Sequence, residues 1–178
     1  SLIGHTVEDS STNRPLLCRT MDLYVRAMRS LSTTKGMRWM MRTVQHPLDM
    51  KLRGTRFAPS TFGGMDAPLC FLTTIGRTSG EPRTVPLLYV QLEDECFAVV
   101  ATNYGQHQTP AWALNLDATP HAELEVDGQP PRNVVARRAS DASAAGIWPR
   151  FHAVWPGYET YRDIAGRPIG MYLLCPAG

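Results

Sequence analysis

The periodicity of the chain changes near residue 68, and the stretch that follows limits the fold more than any other feature. Residues 69–74 (LCFLTT) form an apolar, β-branched run, residues 76–80 read as a turn, and residues 83–91 read as a second strand. Glu93-Asp94-Glu95 makes the next turn, and residues 96–102 (CFAVVAT) make a third strand whose unbroken apolar run predicts burial on both faces. Residues 121–126 and 133–139 pair as a hairpin across Asp127-Gly128, and residues 169–174 form a last strand. Strands and helices do not alternate regularly, which argues against a doubly wound parallel sheet. The expected class is α+β, with about six antiparallel strands.

Helices flank and interrupt the strands. Met21, Tyr24, Val25, Met28 and Leu31 fall at helical spacing over residues 20–32, with Arg26 and Arg29 on the wet face. A second helix is expected from about residue 36 to 45, stopped by Pro47. Residues 53–64 read as a Gly-, Ser-, Thr- and Pro-rich connector. After the loop 103–109, Pro110 opens a short helix that ends near Asp117. Ser140-Asp141 caps a helix running to about Val154, and residues 157–163 read as a further turn. The organisation expected is a polar, mobile lead-in at 1–19, basic helices and connector at 20–64, and the barrel at 65–178, all within one domain of 178 residues.

The net charge of +2 hides an asymmetry. Residues 1–60 hold ten Arg or Lys against four Asp or Glu; residues 61–178 hold eight against twelve. The basic half could face a membrane surface, nucleic acid or a polyanionic cofactor tail. No run of apolar residues is long enough for a spanning helix, and the first 20 residues lack the apolar stretch of a secretory leader. Cys18, Cys70, Cys96 and Cys175 show no CxxC spacing, and read as reduced, mostly buried thiols of a cytoplasmic protein.

Three stretches can carry chemistry. In 76-GRTSGEPR-83, Thr78, Ser79 and Gly80 offer hydroxyls and backbone N–H groups between the forks of Arg77 and Arg83, a set able to hold phosphate. By spacing alone a plain tight hairpin with solvated arginines is the favoured reading of the same stretch. The loop 102-TNYGQHQTPAW-112 can bring backbone N–H groups against a planar ring; Trp112 then either covers that ring or fills the core, and His107 reads as a solvated loop residue. In 148-WPRFHAVWPGYETYRD-163, Trp148, Phe151 and Trp155 follow core spacing, whereas Trp155, Tyr158 and Tyr161 fall three apart and could wall a pocket. The five histidines show no i, i+4 pair and no HExxH, so no metal site is expected, and no GxSxG elbow supports a serine hydrolase.

Taken together, 70-CFLTTIGRTSGEPRTVPLLYV-90, 101-ATNYGQHQTPAWALNL-116 and 148-WPRFHAVWPGYETYRDIAGRPI-169 resemble, in order and spacing, the deazaflavin (coenzyme F420)-dependent nitroreductase and quinone reductase family. The likeness runs over roughly residues 45–175. It implies a split β-barrel related to the flavin-binding pyridoxamine-phosphate-oxidase-like proteins. It implies an F420 whose phosphate and glutamate tail lies on Arg77, Thr78, Ser79, Gly80, Arg83, Val85 and Pro86. The ring would approach Ala101, Thr102, Asn103, Tyr104, Gly105 and Trp112. The resemblance places the substrate between Leu88, Trp155, Tyr158 and Tyr161, with Tyr158 first and Tyr161 second as catalytic tyrosines. The implied reaction is hydride transfer from reduced F420 to an electron-poor alkene, enone, quinone or nitro compound. FMN is the less expected cofactor. The partner is then a small molecule, with no nucleic acid, for a monomer or homodimer whose basic N-terminal helices could touch a membrane. Thr78 stands where relatives often carry Lys, Tyr104 where they carry Gly, and Trp155 where many carry Tyr. These departures motivate two alternatives on the same barrel: a cofactor-independent isomerase or cyclase, and a non-enzymatic binding protein.

Overall fold

A computed structural model describes residues 68–126 and 129–177. The helices expected at 20–32 and 36–45, the lead-in, the connector and the Asp127-Gly128 turn lie outside the described residues.

Six antiparallel strands close into a barrel. In chain order they are β1 (Leu69–Ile75), β2 (Pro82–Gln91), β3 (Phe97–Val100), β4 (His121–Val126), β5 (Arg132–Arg138) and β6 (Met171–Pro176), and around the barrel they run β1-β2-β3-β6-β5-β4. Three helices are inserted: α1 (Ala111–Ala118), α2 (Asp141–Val154) and α3 (Gly157–Ala165). The expected split β-barrel therefore forms: β2 pairs with β1 over Pro82–Leu88 and with β3 over Tyr89–Gln91, which completes the ring of strands.

Strand alternation decides what fills the barrel. Cys70 and Leu72 of β1, Val99 of β3, Leu124 of β4, Val134 of β5 and Leu174 of β6 point inward and are all but inaccessible. Trp112, Ala113 and Leu116 of α1 join that interior cluster. A second cluster forms on the outside of β2, β3 and β6, where Val90, Ala98, Val100, Met171 and Leu173 meet Phe151, Trp155, Tyr158 and Tyr161 of the α2–α3 segment. β3 is thus covered on both faces, which is why its sequence is apolar throughout instead of alternating.

Local signals explain the connections. Asp94 and Glu95 both take positive φ (53° and 57°), and the Cys96 amide donates to Glu93 O at 3.1 Å, the left-handed turn that suits the twist of a hairpin. Ser140 caps α2, its Oγ accepting from the Ser143 amide at 3.2 Å. Trp148 Nε1 of α2 donates to Glu159 Oε1 of α3 at 2.7 Å, and Arg162 holds the other Glu159 oxygen at 2.7 Å, so the two helices are tied across their exposed side.

Two expectations need correction. Residues 157–163 are not a turn but the body of α3, whose buried Tyr158, Tyr161 and Ala165 fall on one face and whose end is set by Gly166 at φ 62°. Packing of that face outweighs the weak helical propensity of its opening Pro-Gly. The cysteines are not all reduced: Cys96 and Cys175 form a disulfide. The β3–β6 register pairs Phe97 with Leu174, so Cys96 and Cys175 are the next pair out, with Cα atoms 4.3 Å apart. A sequence separation of 79 hides that proximity. Cys96 and Cys175 are therefore not reduced thiols, and they carry no sign of a reducing compartment. Among the described residues, no helix is long and apolar enough to cross a membrane.

Tyr172 supplies a pH signature for the barrel. Its hydroxyl donates to Asp117 Oδ1 at 2.8 Å. Burial first, then that bond and the carboxylate's charge, push the phenol up to about 12, against an opposing contribution from Arg138. The fold thus favours the neutral phenol. The stabilisation is complete below the unfolded value of about 10 and is lost as pH rises through about 12. Denaturation midpoints should fall between these two pH values, and Tyr172→Phe should flatten that part of the profile; an unchanged profile would contradict the coupling.

Candidate functional site

The β1–β2 hairpin and α1 enclose a groove of about 440 Å³. Its lining includes Arg77, Thr78, Ser79 and Arg83 on the hairpin, Val85 on β2, and Trp112 and Asn115 on α1. The hairpin is closed by backbone bonds from Gly76 N to Glu81 O (2.8 Å) and from Gly80 N to Gly76 O (2.7 Å). Gly80 has φ 72°, which glycine adopts without steric cost, and a Cβ on Gly76 would lie 2.6 Å from Ser79 Oγ. Arg77, Thr78, Ser79, Gly80 and Arg83 are exposed. Trp112 is buried beneath them, its ring edge-on to Tyr172 at 5.4 Å. It therefore fills the core and lines the groove at once.

Asn115, a residue without a sequence motif of its own, fastens the hairpin. Its Oδ1 accepts from the Arg77 amide and its Nδ2 donates to Thr74 Oγ1, both at 3.1 Å. Asn115 and Thr74 are buried, so neither bond is exchanged readily with water. A polar residue three positions after Trp112 in the helix AWALNLDA was the available signal. Asn115→Leu should lower unfolding stability by about 1–3 kcal/mol, because it strands the buried Thr74 hydroxyl and the Arg77 amide. Urea denaturation measures this, and an unchanged midpoint would contradict it.

The second region lies at the end of β3. Ala101 and Thr102 are buried, and the chain then makes a single 3-10 turn over Asn103–Gly105. Asn103, Tyr104 and Gly105 all have positive φ (48°, 54° and 74°). Left-handed backbone costs a tyrosine on the order of 1 kcal/mol, so the surroundings must hold it. Gly105 is required there: a Cβ would meet Ile164 of α3 at 2.6 Å and the Tyr161 Cα at 3.2 Å. Arg167, also unforeseen, donates to Ala101 O (2.8 Å), Thr102 O (3.3 Å) and Gln106 O (3.1 Å). His107, exposed as expected, donates from Nδ1 to Ala165 O at 2.9 Å.

The tyrosines spaced by three do meet. Tyr104 packs edge-on against Tyr161 at 6.2 Å, Tyr161 against Tyr158 at 6.0 Å, and Tyr158 against Phe151 at 5.7 Å. Trp155, Tyr158 and Tyr161 are buried in the outer cluster, where Leu88 packs against them. Burial, with Tyr161, Tyr104 and Cys70 nearby, pushes the Tyr158 hydroxyl well above the ordinary tyrosine range.

The sequence-derived residues thus form two groups. Arg77, Thr78, Ser79, Arg83, Val85 and Trp112 share the groove. Tyr104, Trp155, Tyr158, Tyr161 and Leu88 share the aromatic layer outside the barrel. β2 links them: Val85 lines the groove and Leu88 the layer, roughly 10 Å apart at the rise of a strand. Pro86 lies between, half-buried and paired with Phe71 of β1. Among the described residues, no group of three or more His, Cys, Asp or Glu could hold a metal ion.

Comparison with known proteins places this geometry. A Mycobacterium tuberculosis protein provisionally named an F420H(2)-dependent quinone reductase is 32% identical over 111 residues, spanning 61% of this chain and 90% of its own. A second protein of that organism, named F420H(2)-dependent quinone reductase, is 29% identical over 110 residues, spanning 60% of this chain and 72% of its own. Among solved structures, an F420-H2 dependent reductase superposes with a TM-score of 0.54 at 27% identity, covering 60% of this chain and 93% of that one. A protein described as a domain-swapped dimer superposes with a TM-score of 0.53 at 26% identity, covering 70% and 90%. The sequence profile of the F420H(2)-dependent quinone reductases matches residues 50–176, a span that takes in the hairpin, the turn after β3 and the tyrosine layer, and the chain belongs to that oxidoreductase family.

Proposed function

We propose that this chain binds reduced coenzyme F420 along the hairpin groove and reduces a small electron-poor acceptor, with quinones first and nitroaromatics and conjugated enones as acceptors of the same chemistry. The groove carries the reading. Two guanidinium forks and two hydroxyls on a glycine-containing turn face an apolar wall of Val85 and Trp112. That donor set fits a group with an anionic tail and a planar ring. Arg77, Thr78, Ser79 and Arg83 would hold the tail, with Gly80 and Pro86 shaping the hairpin around it. Ala101, Thr102, Asn103, Tyr104 and Gly105 would border the ring beside Trp112.

Bound reduced F420 supplies a hydride. A quinone that accepts a hydride becomes an oxyanion and needs one proton to reach the quinol. Tyr158 is suited to that oxygen: with its ionisation pushed up, it stays an O–H group and can hold a hydrogen bond to the developing charge while solvent delivers the proton. Tyr161 is the second such donor. Leu88 and Trp155 would contribute apolar surface against the ring of the acceptor.

The experiment is turnover of reduced F420 with a panel of soluble quinones, nitroaromatics and enones, followed by the return of oxidised F420 absorbance. One F420 oxidised per quinone reduced is expected. Tyr158→Phe should lower kcat about ten- to hundredfold, the worth of one hydrogen bond to a charged oxygen, with KM nearly constant. Full kcat in Tyr158→Phe would remove this role, and absence of turnover with every acceptor would remove the reading.

A further inference from the structure

Resting on the reading above, we propose that Arg167 is a positioning residue: its guanidinium fork clamps the 102–106 turn in its left-handed conformation and so sets the backbone face that meets the deazaflavin ring. Three observations converge on this. The turn carries three successive positive φ values; Asn103 and Gly105 tolerate them, whereas Tyr104 must be held there by its surroundings. Arg167 Nη2 reaches the carbonyls of Ala101 and Thr102 where β3 ends, and Nε reaches Gln106 O beyond the turn, so one planar group spans both ends of it. Thr102 O also accepts from Gly105 N at 2.9 Å, which makes the carbonyl that Arg167 grips the same one that closes the turn.

The position of Arg167 suits the task. It follows Gly166, which ends α3, and precedes β6, whose neighbour Gly170 O accepts from Ala101 N at 2.9 Å. The clamp therefore joins α3, β6 and the end of β3. Among the described residues the guanidinium has carbonyl partners and no carboxylate within ion-pair distance. Its role is geometric: several N–H groups fixed in one plane address carbonyls that point in different directions, which an ammonium on a flexible stem does not reproduce. Tyr104 is carried by the turn onto Tyr161, so the same clamp fixes one wall of the tyrosine layer.

The test uses the full chain with Arg167→Lys and Arg167→Met. Amide hydrogen exchange reads the turn without any cofactor. Exchange at Gly105 and Gln106, whose amides bond to Thr102 O and Asn103 O, should speed up at least tenfold in both variants, while amides within β3 and β6 keep their protection. Affinity for oxidised F420, read by its fluorescence, should fall about tenfold in both. Wild-type behaviour of Arg167→Lys beside a damaged Arg167→Met would overturn the fork in favour of simple charge. Equal loss of protection across β3 and β6 would make Arg167 a general staple and overturn the positioning role. A loosened turn with unchanged F420 affinity would overturn the link to the ring. If the wild-type chain binds no F420, the function proposed above falls, and the exchange measurement still decides whether Arg167 holds the turn.

Discussion

Replacing Arg77 and Arg83 together by methionine is expected to weaken F420 binding by at least two orders of magnitude. Both side chains line the same groove from opposite ends of the 76–83 hairpin. A hydrogen bond to a charged group contributes about 1.5–3 kcal/mol, and both arginines are exposed, so the lower end applies to each. Two such losses sum to about 3 kcal/mol, roughly a hundredfold in dissociation constant. Methionine keeps most of the side-chain length while removing charge and donors. The loss should come with reduced salt dependence: wild-type affinity should drop as ionic strength rises, and the double variant should respond little. Folding should be nearly unaffected, since neither guanidinium makes a described ion pair. Equal affinity of wild type and double variant at low salt would show that the tail binds elsewhere.

Phe151→Ala is expected to have the largest effect on stability, about 3–5 kcal/mol. Phe151 is fully buried and heads the largest inaccessible side chains of the described residues. It packs against Tyr158 at 5.7 Å and Trp148 at 6.4 Å, so it holds α2 and α3 to each other and to the outer face of the barrel. Removing the ring leaves a cavity beside Tyr158, whose hydroxyl the proposed reaction uses. Urea denaturation should show the loss. A destabilisation under about 1 kcal/mol would mean that the layer collapses to fill the space.

The barrel was largely legible because β-strands write their environment into alternate residues. β4 and β5 alternate, β1 shows as an apolar run with Cys70, Phe71 and Leu72 all buried, and β3 is apolar throughout since helices cover its outer face. α3 is hidden in the sequence because its opening Pro156-Gly157 and its polar Glu159, Thr160, Arg162 and Asp163 mask the buried Tyr158, Tyr161 and Ala165. The Cys96–Cys175 bridge depends on a register between strands far apart in sequence. Asn115 and Arg167 are not legible in the sequence for a shared reason: each acts largely on the backbone of a distant segment, and backbone atoms leave no mark on residue type. The arginines, hydroxyl residues and tyrosines were visible because their chemistry is in the side chain and their spacing is local. Their division into a groove and an aromatic layer joined by β2 needed three dimensions. Thr78 lines the groove without a charge, so Arg77 and Arg83 are its cationic side chains.

The most direct test is titration of the purified wild-type chain with F420, followed by the cofactor's fluorescence and by isothermal calorimetry. Saturable binding at one site per chain, with a dissociation constant on the order of micromolar and a loss of about a hundredfold in the Arg77→Met, Arg83→Met double variant, is the predicted result. No saturable binding at any accessible F420 concentration, in either redox state of the cofactor, would contradict the account.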